Sequence, residues 1–313
     1  VRLPDGVVLG IDFGGTKIAM GIAGRDGEIR RRLRLSTDAG SGAERVVARA
    51  LAAARDLLGD RDPVAVGVVS PGIVLPEKIL LAPNVPGWER LRLREMVAAE
   101  FGSRVAVGTD VKAAALAESR WGALAGADPA VFLSLGTGIA AATLVGGQVL
   151  AGANGAAGEI GYNLRGTRET ASFATGSAPL EEAVGGRGLG RRASERFGRP
   201  VTTAELFALA RHDPVAERLV SEALDELATH VANLAIAIDP RRIAVGGGLV
   251  RSAAIVLPAL RNRLSTAVPF PPELVSARFG QDSALRGAIA LASGALDAPA
   301  EGGCRYEETL PLP

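Results

Sequence analysis

A single cysteine, Cys304, stands in the 313 residues, so a disulfide framework is impossible and a cysteine-based zinc site nearly so. Only two histidines occur, His212 and His230, both in stretches of helical pattern where surface or packing positions are the plain reading. Lysine is nearly missing as well: Lys17, Lys78 and Lys112 are the whole set, and arginine carries the remaining positive charge. A lysine kept in a glycine turn therefore draws notice. Basic and acidic residues number 35 and 34, and no long basic block offers the footprint that nucleic-acid binding needs. The arginines at 30–34 are interleaved with apolar residues, as on the solvated face of a strand. No apolar run reaches membrane-spanning length and no secretory leader precedes Val7, so the expectation is a soluble, cytoplasmic protein with no membrane partner. Aromatics make up 4% while glycines number 40, a balance that suits an α/β protein with many tight turns.

What the sequence does contain is one device written twice. Residues 9–28 read LGIDFGGTKIAMGIAGRDGE: an apolar strand, a Gly-Gly-Thr turn, a second strand and a hairpin turn at Arg25-Asp26-Gly27. Residues 133–149 read LSLGTGIAAATLVGGQV: an apolar strand, Gly136-Thr137-Gly138, another strand and a turn at Gly146-Gly147. Glycines between strands let backbone N–H groups crowd around a phosphate, and threonine adds a hydroxyl donor. Two such loops suggest two half-molecules closing on one polyphosphate.

The rest of the chain alternates strands and helices, and its length suggests about two domains. Strands are expected at 29–35, 64–69, 105–107, 131–135, 242–245 and 273–279. Helices are expected at 43–58, 89–101, 111–124, 180–197, 203–211, 214–238 and 284–293. The domain reading is 1–110 joined by a C-terminal helix at about 284–297, then 111–283, with 298–313 as a loose tail.

Gly10 to Lys17 nearly spells a P-loop, but threonine and lysine stand in the wrong order. A P-loop or dinucleotide turn also runs into a helix, whose N-terminus binds the phosphate. Here residues 17–22 are β-branched and small, and a turn closes them, so both alternatives fall. What remains is the hairpin loop of the actin-like, hexokinase (ribonuclease H-like) α/β fold, with a cleft between two α/β domains. Asp12-Phe13-Gly14-Gly15-Thr16-Lys17, Ser70-Pro71-Gly72, Leu135-Gly136-Thr137-Gly138-Ile139 and Gly158-Glu159-Ile160-Gly161 resemble, in order, the motifs of the ROK family (repressors, open reading frames, kinases). Residues 246–248 sit where that family contacts the nucleotide. The resemblance covers about 7–293.

Phosphoryl transfer needs neutralised phosphates, a positioned hydroxyl and a carboxylate to take its proton. Position alone leaves Asp110 evenly divided between a general base at a strand's carboxyl end and a helix N-cap. The resemblance makes it the catalytic aspartate. Asp12 reads as a Mg²⁺ holder acting through water, or as a turn aspartate. Lys17 neutralises phosphate or snorkels from a strand. The resemblance implies that Gly14, Gly15, Thr16, Lys17, Gly136, Thr137, Gly138, Gly247 and Gly248 bind nucleotide. It also implies that Gly72, Asn84, Thr109, Asp110, Glu159, Tyr162 and Glu181 face the sugar. Asn84 otherwise only shapes its turn, and Glu181 otherwise favours a helix dipole.

The departures gather at the substrate. Tyr162 stands where the family carries a zinc-ligating histidine, and residues 170–176 replace its cysteine cluster, so no structural zinc is expected. Thr109 and Lys112 replace two asparagines flanking the aspartate, and an aspartate after Pro-Gly-x is missing, with Leu75 nearby. Such changes alter which hydroxyls are recognised. The resemblance thus implies an ATP- and Mg²⁺-dependent kinase for the 6-hydroxyl of glucose or a similar sugar, and a homodimer. Alternatives are a modified sugar (a 3-amino hexose such as kanosamine, an N-acyl amino sugar or a cyclitol), a sugar-responsive regulator and a non-catalytic sugar-binding protein. Nine residues precede Gly10 in this sequence, so a regulator with an N-terminal helix-turn-helix is not expected.

Overall fold

The computed structural model describes residues 6–24, 26–75, 78–82, 85–102, 104–167, 169 and 173–297. In chain order the first strands are β1 (Val8–Phe13), β2 (Lys17–Ala23) and β3 (Ile29–Ser36), followed by helix α1 (Ala43–Leu58). Next come β4 (Ala65–Ser70), the short pair β5 (Ile73–Val74) and β6 (Ile79–Leu80), α2 (Leu93–Phe101), β7 (Val105–Thr109) and α3 (Asp110–Trp121). The chain continues through β8 (Ala130–Leu135), β9 (Ile139–Val145), β10 (Gln148–Val149), α4 (Pro179–Val184), α5 (Gly186–Phe197), α6 (Thr203–Leu209) and α7 (Pro214–Ile238). It ends with β11 (Arg242–Gly246), α8 (Ala253–Ala267), β12 (Glu273–Ser276) and α9 (Ser283–Asp297).

Two compact units result. The first takes residues 1–120, 151–157 and 282–313, and the second takes 121–150 and 158–281. The helix α3, read from sequence as the start of the second domain, falls in the first because it packs against α9: a Cβ on Gly287 would lie 2.4 Å from the Ala113 carbonyl carbon. Residues 298–313 lie outside the described residues.

Each unit is built on a five-stranded sheet of the same order. In the first it is β3-β2-β1-β4-β7, in the second β10-β9-β8-β11-β12. The opening hairpin is antiparallel in both, and the remaining neighbours run parallel. Parallel strands bring their carboxyl ends to one edge, so Asp12, Ser70 and Thr109 share an edge of the first sheet.

In the first unit, α1 lays Val46, Val47, Ala50, Leu51, Ala54 and Leu58 on the sheet residues Leu9, Ile11, Ile18 and Met20. On the sheet's other face α9 comes so near that a Cβ on Gly67 would sit 1.8 Å from the Ala288 carbonyl oxygen. In the second unit, α7 buries Val220, Leu224, Leu227 and Val231 in one core with Val131, Leu133 and Leu135 of β8. Asp213 caps α7, accepting from Val215 N (2.8 Å) and Ala216 N (3.1 Å). The helix expected over 180–197 is broken at Gly185, which adopts extended backbone between α4 and α5. Among the described residues no helix is long and apolar enough to cross a membrane.

Candidate active site

The first glycine loop joins β1 to β2 and turns its carbonyls inward. Gly14 N donates to Lys17 O (3.0 Å), Thr37 N to Thr16 O (3.0 Å) and Thr37 Oγ1 to Gly14 O (2.6 Å). With those acceptors occupied, the N–H groups of Gly15 and Thr16 meet no protein acceptor among the described residues. An outward pair of N–H donors beside a threonine hydroxyl suits an anion. Lys17 is exposed at the start of β2.

Asp12 is largely withdrawn from solvent at the end of β1. Burial, and then the charge of Asp110, raise its carboxyl from 3.8 to about 7, against the lowering influence of Lys17 and Arg34. Asp110 is the first residue of α3 and is raised too, chiefly by burial, while the N–H of Val111, its own N–H and the Lys112 charge oppose the rise. Its Oδ1 accepts from Val111 N at 2.8 Å. An N-cap side chain bonds the N–H two or three residues on, so this is not capping geometry. Two desolvated carboxyls at one sheet edge are the kind of hard oxygen donors that suit Mg²⁺.

The second loop repeats the arrangement with different partners. Gly136 N donates to Gly138 O (2.9 Å), Gly186 N to Gly136 O (2.9 Å) and Arg187 N to Thr137 O (3.1 Å). The N–H groups of Thr137 and Gly138 are left without a protein acceptor among the described residues. The break at Gly185 thus has a purpose, since it aims the first N–H groups of α5 at the loop's carbonyls. Gly247 (φ +89°) closes against β8, where a Cβ would lie 2.3 Å from Leu135 O, while Gly248 stands in open space.

Glu181 in α4 belongs to the same cluster. Its Oε2 accepts from Ile139 N (3.0 Å), and a Cβ on Gly138 would lie 2.2 Å from that oxygen. The second loop, with no acid of its own, therefore has a carboxylate against its base. Burial, and then the charges of Glu159 and Glu181, raise the Tyr162 phenol above its ordinary range. Its ring meets Phe173 edge to face at 5.8 Å. Glu159, half-buried, precedes the turn in which Tyr162 N donates to Glu159 O (3.1 Å).

Two residues read as facing sugar in the first unit show strong structural ties. Gly72 (φ +85°) would place a Cβ 2.4 Å from Leu80 O in the β5–β6 hairpin. Thr109 is buried at the end of β7, paired with Ser70. Asn84 lies outside the described residues. Ser70, read in the sequence only as part of the Ser70-Pro71-Gly72 motif, has a partner that went unnoticed: its buried Oγ accepts from Trp88 Nε1 at 2.8 Å. The unassigned tryptophan N–H was the available signal, because a buried indole needs an acceptor.

The model of the family described as "ROK family" matches residues 8–295. The chain belongs to the ROK family. An N-acetylgalactosamine kinase of Shewanella sp. (strain ANA-3) is 32% identical over 312 residues, covering 95% of this ROK chain and 99% of that protein. Among solved structures, the ROK hexokinase from Thermus thermophilus shares 34% identity at a TM-score of 0.79, over 93% of this chain and 99% of that one. A ROK family glucokinase from Streptomyces griseus, solved with glucose and AMPPNP, shares 29% identity at a TM-score of 0.77, over 92% and 100%. The fold is accordingly that of the ROK hexokinases, actin-like with mixed α/β sheets.

Proposed function

We propose that this chain transfers the γ-phosphoryl group of ATP to the 6-hydroxyl of glucose or a glucose-like hexose. The chain is a sugar kinase, a phosphotransferase with an alcohol group as acceptor. The observation that supports phosphoryl transfer from ATP in this reading is the pair of inward-carbonyl loops, 14–16 and 136–138, whose outward N–H groups are preset donors for phosphate oxygens. Thr16, Thr137, Lys17, Gly247 and Gly248 complete the phosphate side. Asp110 is the general base: Val111 N–H fixes Oδ1, leaving Oδ2 for the acceptor's proton. Asp12 holds Mg²⁺ through water, with the burden of two neighbouring carboxyls favouring a cation there. When bound, Mg²⁺ neutralises charge on the phosphate oxygens.

Glu159, Tyr162, Glu181, Thr109, Gly72 and Asn84 are the proposed sugar side. Tyr162 with Phe173 does not fit a zinc site, since a ring packed edge to face offers no soft donor, and no step depends on that metal. A second reading, an amino sugar such as a 3-amino hexose, is favoured by the two carboxylates of Glu159 and Glu181 that bear on Tyr162. An ADP-release assay over hexoses, amino hexoses, N-acetyl sugars and cyclitols separates the two. Turnover confined to plain hexoses sinks the second; turnover confined to amino sugars sinks the first. Measuring the sugar phosphate formed with polyphosphate in place of ATP fixes the donor. The assembly we propose is a homodimer, for which light scattering should give twice the chain mass of 32.0 kDa.

A further inference from the structure

Two of the substrate-side departures meet on one residue. Lys112, in the first turn of α3, donates from Nζ to the carbonyl oxygen of Gly155. Leu75 reaches the same glycine: a Cβ there would lie 3.2 Å from Leu75 Cδ2 and 3.2 Å from Ile73 Cγ2. Gly155 is buried with φ +70°, so neither a side chain nor a relaxed backbone is available to it. The segment around it, 151–157, belongs to the first unit although the chain on either side belongs to the second. It closes on itself through Ala157 N to Ala151 O (3.0 Å) and Gly155 N to Gly152 O (3.2 Å).

An excursion of this kind needs an anchor, because a short segment pays conformational entropy to stay docked. Leu75 and Ile73 supply an apolar floor, and a charge-assisted bond from a half-buried ammonium supplies direction. The chain then runs on to Glu159, four residues past Gly155.

We infer that Lys112 is a positioning residue for the acceptor: it pins segment 151–157 to the helix end that carries Asp110, giving the Glu159 turn a fixed point of departure. Its kinetic consequence rests on the sugar-kinase reading; its geometry does not. The ammonium works through the Gly155 carbonyl and not through contact with the sugar.

The test pairs Lys112→Met, which keeps the stem and removes the donor, with Lys112→Arg, which restores one. Lys112→Met should raise KM for the sugar about tenfold, the scale of one charge-assisted bond. KM for ATP and the melting temperature should hold, and Lys112→Arg should recover most of the sugar KM. Hydrogen exchange of the Gly155 and Ala157 amides should quicken in Lys112→Met. An unchanged sugar KM with unchanged exchange overturns the inference. So does a parallel rise of both KM values with a lower melting temperature, which is general damage. Failure of the kinase reading would look different, as no sugar-dependent ADP release from the unsubstituted protein. Exchange alone then decides whether the pin exists.

Discussion

Asp12 lies in β1 next to its last residue and Asp110 follows β7, with β4 between them, and the charge of Asp110 adds to burial in raising Asp12's need for a proton or a cation. Replacing Asp110 by Asn keeps the shape and removes the base. Turnover is expected to fall by about 10²–10⁴, with sugar affinity by calorimetry nearly intact. The folded chain holds a proton on Asp12 between 3.8 and about 7 that the unfolded chain has released. Its contribution to stability is therefore full below 3.8 and is lost as pH rises through about 7. Asp12→Asn should gain thermal stability over the unsubstituted protein at pH 8 and show no advantage at pH 4, as read by melting curves in the absence of nucleotide. At this scale the sequence was most informative where a residue sits at the end of a buried strand, as both aspartates do. It said nothing of Thr37, whose two bonds hold the first loop, because a threonine after a strand has no local signature of a partner as far away as Gly14, 23 residues earlier. Nor could it place Lys112 on Gly155, a pairing made only by tertiary folding.

Elements carry a second set of expectations. Gly67 lies under α9, and a Cβ there strikes the Ala288 carbonyl, a backbone atom that cannot swing aside. Gly67→Ala should destabilise the protein by about 1–3 kcal/mol, measured as a lower urea midpoint. Gly138→Ala meets the far end of a flexible side chain instead, the Glu181 carboxylate. There the fold should survive while Glu181 leaves Ile139 N, so KM for ATP should rise with little change in urea midpoint. Hairpins, α1 and α7 were legible because glycine turns and helical spacing are local. The break at Gly185 was not, since residues 180–197 have a continuous helical pattern and the interruption is imposed by the carbonyls of Gly136 and Thr137. The same long-range cause hides the partner of Glu181 from the reader of a sequence: it is the N–H of Ile139, 42 residues earlier.

At the scale of the whole molecule, the chain contains the same strand order twice, and the last helix is part of the first sheet's packing. Ending the chain at residue 282 would strip α9 from Gly10 and Gly67 and expose that face of β1 and β4. The truncated protein is expected to lose cooperative unfolding and to be cut by protease within 1–120, where the full chain resists. The repeat of strand order was anticipated from the two glycine loops, whereas the assignment of α3 and of 151–157 to the first unit needed the packing of α9 and the Gly155 anchor.

The inward carbonyls of both loops bear on how such a protein changes over generations. The donors they leave facing outward belong to the main chain, and a point mutation exchanges side chains, not peptide N–H groups. Apart from proline, or a Cβ at a crowded glycine, most substitutions near 15, 16 and 137 leave the donors where they were. The proposed acceptor contacts at Thr109, Glu159 and Tyr162 are side chains, each replaceable by one codon. A lineage built this way can change what it phosphorylates step by step, with every ancestor still able to hold the phosphate.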